Sequence, residues 1–137
     1  MTSCVVLDSE AMSALSGPKG TRNTEVRAAL RAASRLRREV LVPAVVLAEL
    51  YRGRGHNQLV DACLSRETGI AATPTDRKLA RIVGAVLTAA GAGSEMLADA
   101  HVVAAAVESG GGLILTGDPS DMEQLAAPFR SVLVAKI

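Results

Sequence analysis

The stretch "LADAHVVAAAVESGGGLILTGDPSDMEQLA", residues 97–126, decides how this chain folds. Its first half reads as a helix over 95–109, ended by Gly110-Gly111-Gly112. A short apolar run follows, "LILT" at 113–116, and then Asp118-Pro119 opens a second helix over 118–126. Helix, buried strand, helix is the unit from which parallel sheets are built.

The same alternation runs outward from this block. Residues 3–8 (SCVVLD) read as a strand and 9–16 as a helix, with Ser9 a suitable N-cap. Gly17, Pro18 and Gly20 interrupt. An arginine-rich helix follows over 23–38, with Asn23 or Thr24 as its cap. The remaining pattern predicts strands at 40–43, 69–74 and 131–135, and helices at 44–53, 56–66 and 75–91. Short uninterrupted Val/Ile/Leu runs suit strands buried on both faces. The expected fold class is therefore α/β: a mostly parallel central sheet of about five short strands, covered by helices on both faces.

Composition narrows the function. The chain has 137 residues, the size of one domain, and 49% hydrophobic residues, which excludes disorder. Tyr51 and Phe129 are its only aromatic residues apart from histidine, too few to stack several bases. Two cysteines, Cys4 and Cys63, make no disulfide framework. No basic stretch with a long apolar core follows Met1, and no segment is apolar enough to span a membrane. A cytoplasmic setting is expected. Neither a GxxxxGK[ST] loop nor a GxGxxG fingerprint is present.

The net charge of +1 conceals an asymmetry. From Lys19 to Arg54 there are nine basic residues (Lys19, Arg22, Arg27, Arg31, Arg35, Arg37, Arg38, Arg52, Arg54) against Glu25, Glu39 and Glu49. From Glu95 to Glu123 there are six acids and no Lys or Arg. One region suits a polyanion, and the other collects carboxylates.

Several acids fall where a parallel sheet binds ligands, beyond the C-terminal ends of its strands. Asp8 ends the first strand, Glu49 lies on the helix after the second, and Asp118 follows the fourth. Each has a structural alternative. Asp8 and Asp118 could be helix caps, and Asp121 could complement a helix dipole. Glu49 and Asp99 are harder to dismiss, because apolar neighbours surround both, and each is expected to face a buried partner. If Asp8, Glu49, Asp99 and Asp118 meet, the cluster must raise its pKa values or bind cations. An all-carboxylate site suits Mg²⁺ or Mn²⁺, whereas zinc would want Cys or His at ligand spacing.

At these residues the chain resembles a known family. "VVLDSEAMSAL", "VPAVVLAELYRG" and the 97–126 block together look like a PIN domain, in particular the VapC toxins of bacterial toxin–antitoxin pairs. The resemblance spans the chain as a single PIN-like domain over 1–137. It implies a metal-dependent endoribonuclease with Asp8, Glu49, Asp99 and Asp118 as catalytic and metal-binding acids. Asp121 matches an acid that only some members use, and Ser9 and Thr116 match supporting hydroxyl residues. It further implies a homodimer and a VapB-like antitoxin.

Arg27, Arg31, Arg35 and Arg38 recur at helical spacing and lie along one face. They read either as a solvated face or, with Arg52 and Arg54, as a stripe that tracks RNA phosphates. Two other classes compete with the nuclease: a receiver-like Mg²⁺-binding signalling domain, and an inactive binding module whose acids are only caps. In the sequence, no Lys or Arg neighbours the acids.

Overall fold

The computed structural model describes residues 3–137. In chain order the elements are β1 (Cys4–Leu7), α1 (Ser9–Ser16), α2 (Thr21–Arg35), β2 (Val40–Pro43), α3 (Ala44–Leu50), α4 (Arg54–Arg66) and β3 (Ile70–Thr73). There follow α5 (Arg77–Ala90), a 3₁₀ turn (Ser94–Met96), α6 (Leu97–Glu108), β4 (Gly112–Thr116), α7 (Pro119–Ala126) and β5 (Val132–Lys136). The α/β expectation holds: the five strands form one sheet in the order β3-β2-β1-β4-β5, and every pairing is parallel.

β1 is central because its sequence allows nothing else. Cys4, Val5, Val6 and Leu7 are all buried, which requires cover on both faces and a neighbour on each edge. On one face α1 packs with α2, α3 and α4; on the other α5, α6 and α7 pack together. α6 is apolar nearly all round, and residues 100–106 are buried throughout. Its alanines let it lie close on β1, β2 and β4.

The chain leaves β1 toward β2 on one side and returns to β4 on the other. β1 and β4 therefore border the switch point where a crevice opens beyond the strand ends. This order also removes the receiver-like alternative, whose sheet runs 2-1-3-4-5.

The α6-to-β4 connection depends on glycine. Gly111 has φ +123, and a Cβ on Gly112 would lie 2.7 Å from the carbonyl oxygen of Cys4 on the neighbouring strand. The triple glycine thus ends the helix and lets β4 dock in register, Cys4 opposite Gly112 and Leu7 opposite Leu115.

Two expected caps are corrected. Ser9 is not the cap of α1; Asp8 is, and its Oδ1 accepts from the Ala11 N–H at 2.8 Å. The strand leaves Asp8 in extended conformation, φ −81 and ψ −176, which an N-cap requires and the already helical Ser9 lacks. Neither Asn23 nor Thr24 caps α2, which starts earlier, at Thr21 after Gly20, with no side-chain cap. Asn23 is buried instead. Its Nδ2 donates to the carbonyls of Ala14 (2.9 Å) and Leu15 (3.2 Å), closing the end of α1.

Asp76 caps α5, accepting from the Leu79 N–H at 2.8 Å. Asp76→Ala is expected to cost about 1 kcal/mol of stability. Thermal melts check this, with Asp76→Asn near the parent as the control.

Candidate metal centre

Asp8, Ser9, Glu10, Glu49, Glu95, Ala98, Asp99, Thr116 and Asp118 line one cavity of about 220 Å³. It lies at the C-terminal edge of the sheet, over the β1/β4 switch point. The four acids expected from the sequence are thus brought together, and both supporting hydroxyl residues join them. Each arrives by its own route. Asp8 follows β1, Glu49 comes from the end of α3, Asp99 from the first turn of α6 and Asp118 from the β4–α7 junction.

Asp8 is the most firmly held. It is 3% exposed, and burial raises its pKa above the usual carboxylate value. The Thr116 hydroxyl and the Ala11 N–H oppose that rise by favouring the charged form. Thr116 is itself fully buried, and its Oγ1 accepts from the Asp118 N–H at 3.0 Å. One hydroxyl therefore ties the end of β4 to the start of α7 beside the Asp8 carboxylate.

Asp99 carries the strongest signature. Its pKa is pushed up to about 6, first by burial and then by the negative charges of Asp8, Glu49, Asp121 and Asp118. Asp99 thus feels four other carboxylates. Asp121 contributes from the first turn of α7 without lining the cavity. Asp118 sits at the N-cap position of α7, yet its side chain makes no capping bond. Its carboxylate remains free for the cavity, which decides against the cap reading.

Glu49 differs from expectation. Its apolar neighbours suggested a buried carboxylate, but Glu49 is exposed at the cavity mouth. α3 is only seven residues long and buries just Val46 and Leu47, so Ala48 and Glu49 fall on its open side. His101 is packed, with Nδ1 donating to the Leu97 carbonyl at 2.8 Å, and takes no part.

Three participants were not foreseen. Glu10 lies two residues beyond Asp8, and Glu95 sits one turn before Asp99; both add carboxylates to the lining. Arg22 is the third. Far from the acids in sequence, it reaches Glu10 through an ion pair at 3.4 Å, the only one among the described residues. Gly117 makes room for it, since a Cβ there would collide with the Glu10 carboxylate and lie 3.1 Å from Arg22 Nη1. A cation therefore does stand beside one of the lining carboxylates. Nothing in the local sequence announces it, because the α1–α2 pairing brings it in.

Among the described residues, no three His, Cys, Asp or Glu side chains converge tightly enough to grip a metal ion directly. The carboxylates surround a shared space rather than closing on a point.

The PIN domain family model matches residues 5–128. The chain belongs to the PIN domain family. No curated protein matches this PIN domain. Among solved structures it is similar to one in the crystal structure of VapBC2 from Rickettsia felis bound to a DNA fragment from their promoter. That match has a TM-score of 0.66 and 13% identity, and covers 98% of each chain. A second similarity is to the DNA-bound VapBC from Salmonella typhimurium, with a TM-score of 0.62 and 12% identity, covering 99% of this PIN domain and 98% of that chain. At such identities the likeness is one of fold. No described helix of this PIN domain is long and apolar enough to cross a membrane.

Proposed function

We propose that this PIN domain is a VapC-type toxin, a metal-dependent endoribonuclease that cleaves RNA phosphodiester bonds at the carboxylate cavity. The observation that carries the reading is Asp99, whose proton is held to about pH 6 by burial and by the negative charges of four other carboxylates, three of which line the same small space. Such a cluster has no structural purpose, since like charges at close range only destabilise the fold.

The donor set fits Mg²⁺ or Mn²⁺: all oxygen, with no thiol or imidazole in the lining. A spacious cavity suits Mg²⁺ in particular, which keeps several of its waters and takes only one or two carboxylates directly. Asp8, Asp99 and Asp118 would hold it, with Glu49 at the mouth and Asp121 behind. A bound ion of this kind lowers the pKa of a water and neutralises charge on the phosphate. The chain's own residues position and exclude. Thr116 and the Ala11 N–H fix Asp8 in one orientation. Arg22 offers the scissile phosphate a positive contact at the rim, while the surrounding carboxylates repel any phosphate that arrives without a cation. Arg52 lies on this side too, its Nε bonded to the Glu49 carbonyl at 2.9 Å, and Arg54 follows at the start of α4. In this reading both contact RNA that approaches the mouth.

The same reading includes a VapB-like antitoxin, a homodimer and a cytoplasmic setting. The similar solved structures are VapBC complexes, and both cysteines are free, buried thiols suited to a reducing compartment.

The test is direct. Labelled single-stranded RNA incubated with the purified protein should be cut in Mg²⁺ or Mn²⁺, left intact in EDTA, and left intact by Asp99→Asn. Cutting that persists undiminished in EDTA sinks the metal-dependent reading.

A further inference from the structure

The arginine helix does not line the carboxylate cavity. Arg27, Arg31 and Arg38 face a separate groove of about 480 Å³, closed on its far side by Arg66 and the 67–70 turn. Val40 and Ile70, the first residues of β2 and β3, lie at its floor. The groove therefore opens at the N-terminal edge of the sheet. The carboxylates are at the opposite edge, a strand length of about 13 Å away.

This groove is built for an anion. Arg27 and Arg31 stand one turn apart on α2, about 6 Å along its axis. Arg38 is delivered by a left-handed residue, Arg37 at φ +56, which turns the chain at the end of α2. Arg66 comes from the last turn of α4. Arg27, from α2, and Arg66, from α4, line this one groove from two different helices. None of the four has a carboxylate within 4.0 Å among the described residues. Glu67 is the single acid in the lining. Leu30, Val40 and Ile70 give an apolar floor against which a base can lie.

We propose that this groove is a second binding site for single-stranded RNA, one that holds the phosphodiester backbone at a distance from the scissile bond. Guanidiniums one turn apart on α2, with two more across the groove, match adjacent phosphates of an extended strand better than they match a folded acidic peptide, whose carboxylates have no fixed spacing. The distance between the two edges makes the site a discriminator of length: a strand must be long enough to occupy both.

The experiment measures binding by fluorescence anisotropy, with a labelled 20-nucleotide RNA and a labelled tetranucleotide on the Asp8→Asn protein. The proposal rests on the nuclease reading for its second site, but cleavage plays no part in this experiment, so its failure is distinguishable from failure of the EDTA test. In the same background, Arg31→Gln with Arg38→Gln should weaken the 20-mer by at least about tenfold and should narrow the gap in affinity between the 20-mer, which spans both sites, and the tetranucleotide, which does not. The slope of log affinity against log salt should become shallower by about 1.4, roughly 0.7 for each lost phosphate contact. Arg31→Lys with Arg38→Lys should restore most of both. Arg66→Gln alone, on an exposed helix end, gives the same direction without touching α2. A 20-mer affinity and salt slope unchanged in variants that melt like the parent overturn the proposal. So does loss of binding to an Asp/Leu peptide with RNA binding intact, which would make the groove a protein-docking site.

Discussion

Asp8→Asn is expected to lower RNA cleavage by at least about 100-fold, the upper range for losing even an outer partner of a metal site. Its fold should stay intact. Asp8 has two duties that this substitution separates: Oδ1 caps α1 through the Ala11 N–H, and the carboxylate charge serves the cavity. Asparagine caps a helix about as well as aspartate, so α1 keeps its first turn. Asp8→Ala removes both duties and should also cost about 0.5–2 kcal/mol of stability. The comparison therefore has three arms: parent, Asn and Ala, each assayed for cleavage and for melting. Parent-like cleavage by folded Asp8→Asn would remove Asp8 from the site. Equal melting of Asn and Ala would remove it from the cap.

The second large effect is on stability and pH. Asp99 titrates at about 6 in the fold against 3.8 in a free chain. Between those values the folded chain holds a proton that the unfolded chain has released. Folding then takes up a proton, and stability falls as pH rises. The contribution is complete below pH 3.8 and gone once the pH has passed 6. At 1.36 kcal/mol per unit it amounts to about 3 kcal/mol, of which roughly 2 has returned by pH 4.5. Without divalent cations, the parent should therefore show a Tm several degrees higher relative to Asp99→Asn at pH 4.5 than at pH 7.5. At pH 7.5 Asp99→Asn should be the more stable protein, and millimolar Mg²⁺ should close most of that gap by stabilising the parent. Parallel pH profiles for the two proteins would mean that Asp99 carries no such strain.

These effects trace back to how the sequence writes a sheet. β1 and β4 were legible because a strand buried on both faces has to be a short unbroken apolar run, and "CVVL" and "LILT" are that. The acids at their ends were legible for the same reason, since a charge terminating such a run has to emerge at the sheet edge. Asp99 stood out by its apolar surroundings, matched the resemblance, and is placed by packing. α6 lies across β1, β2 and β4, which brings its first turn over their ends. Caps were read one residue off at α1, because both Asp8 and Ser9 have capping side chains and only the backbone conformation chooses between them. Glu49 looked buried because composition does not show how short α3 is. Arg22 was invisible because its partner Glu10 is twelve residues away, on a different helix.

One feature of Asp8 reaches beyond chemistry. Because Oδ1 is engaged by α1 and the Thr116 hydroxyl also binds the carboxylate, the side chain cannot rotate without giving up the cap of α1. The site is set before anything binds, and what sets it is the seating of α1 by Met12 and Leu15, both fully buried in the core. In the proposed metal site, ion affinity would depend on hydrophobic contacts one and two turns along α1. Loosening those contacts would detune the site while leaving every carboxylate in the sequence.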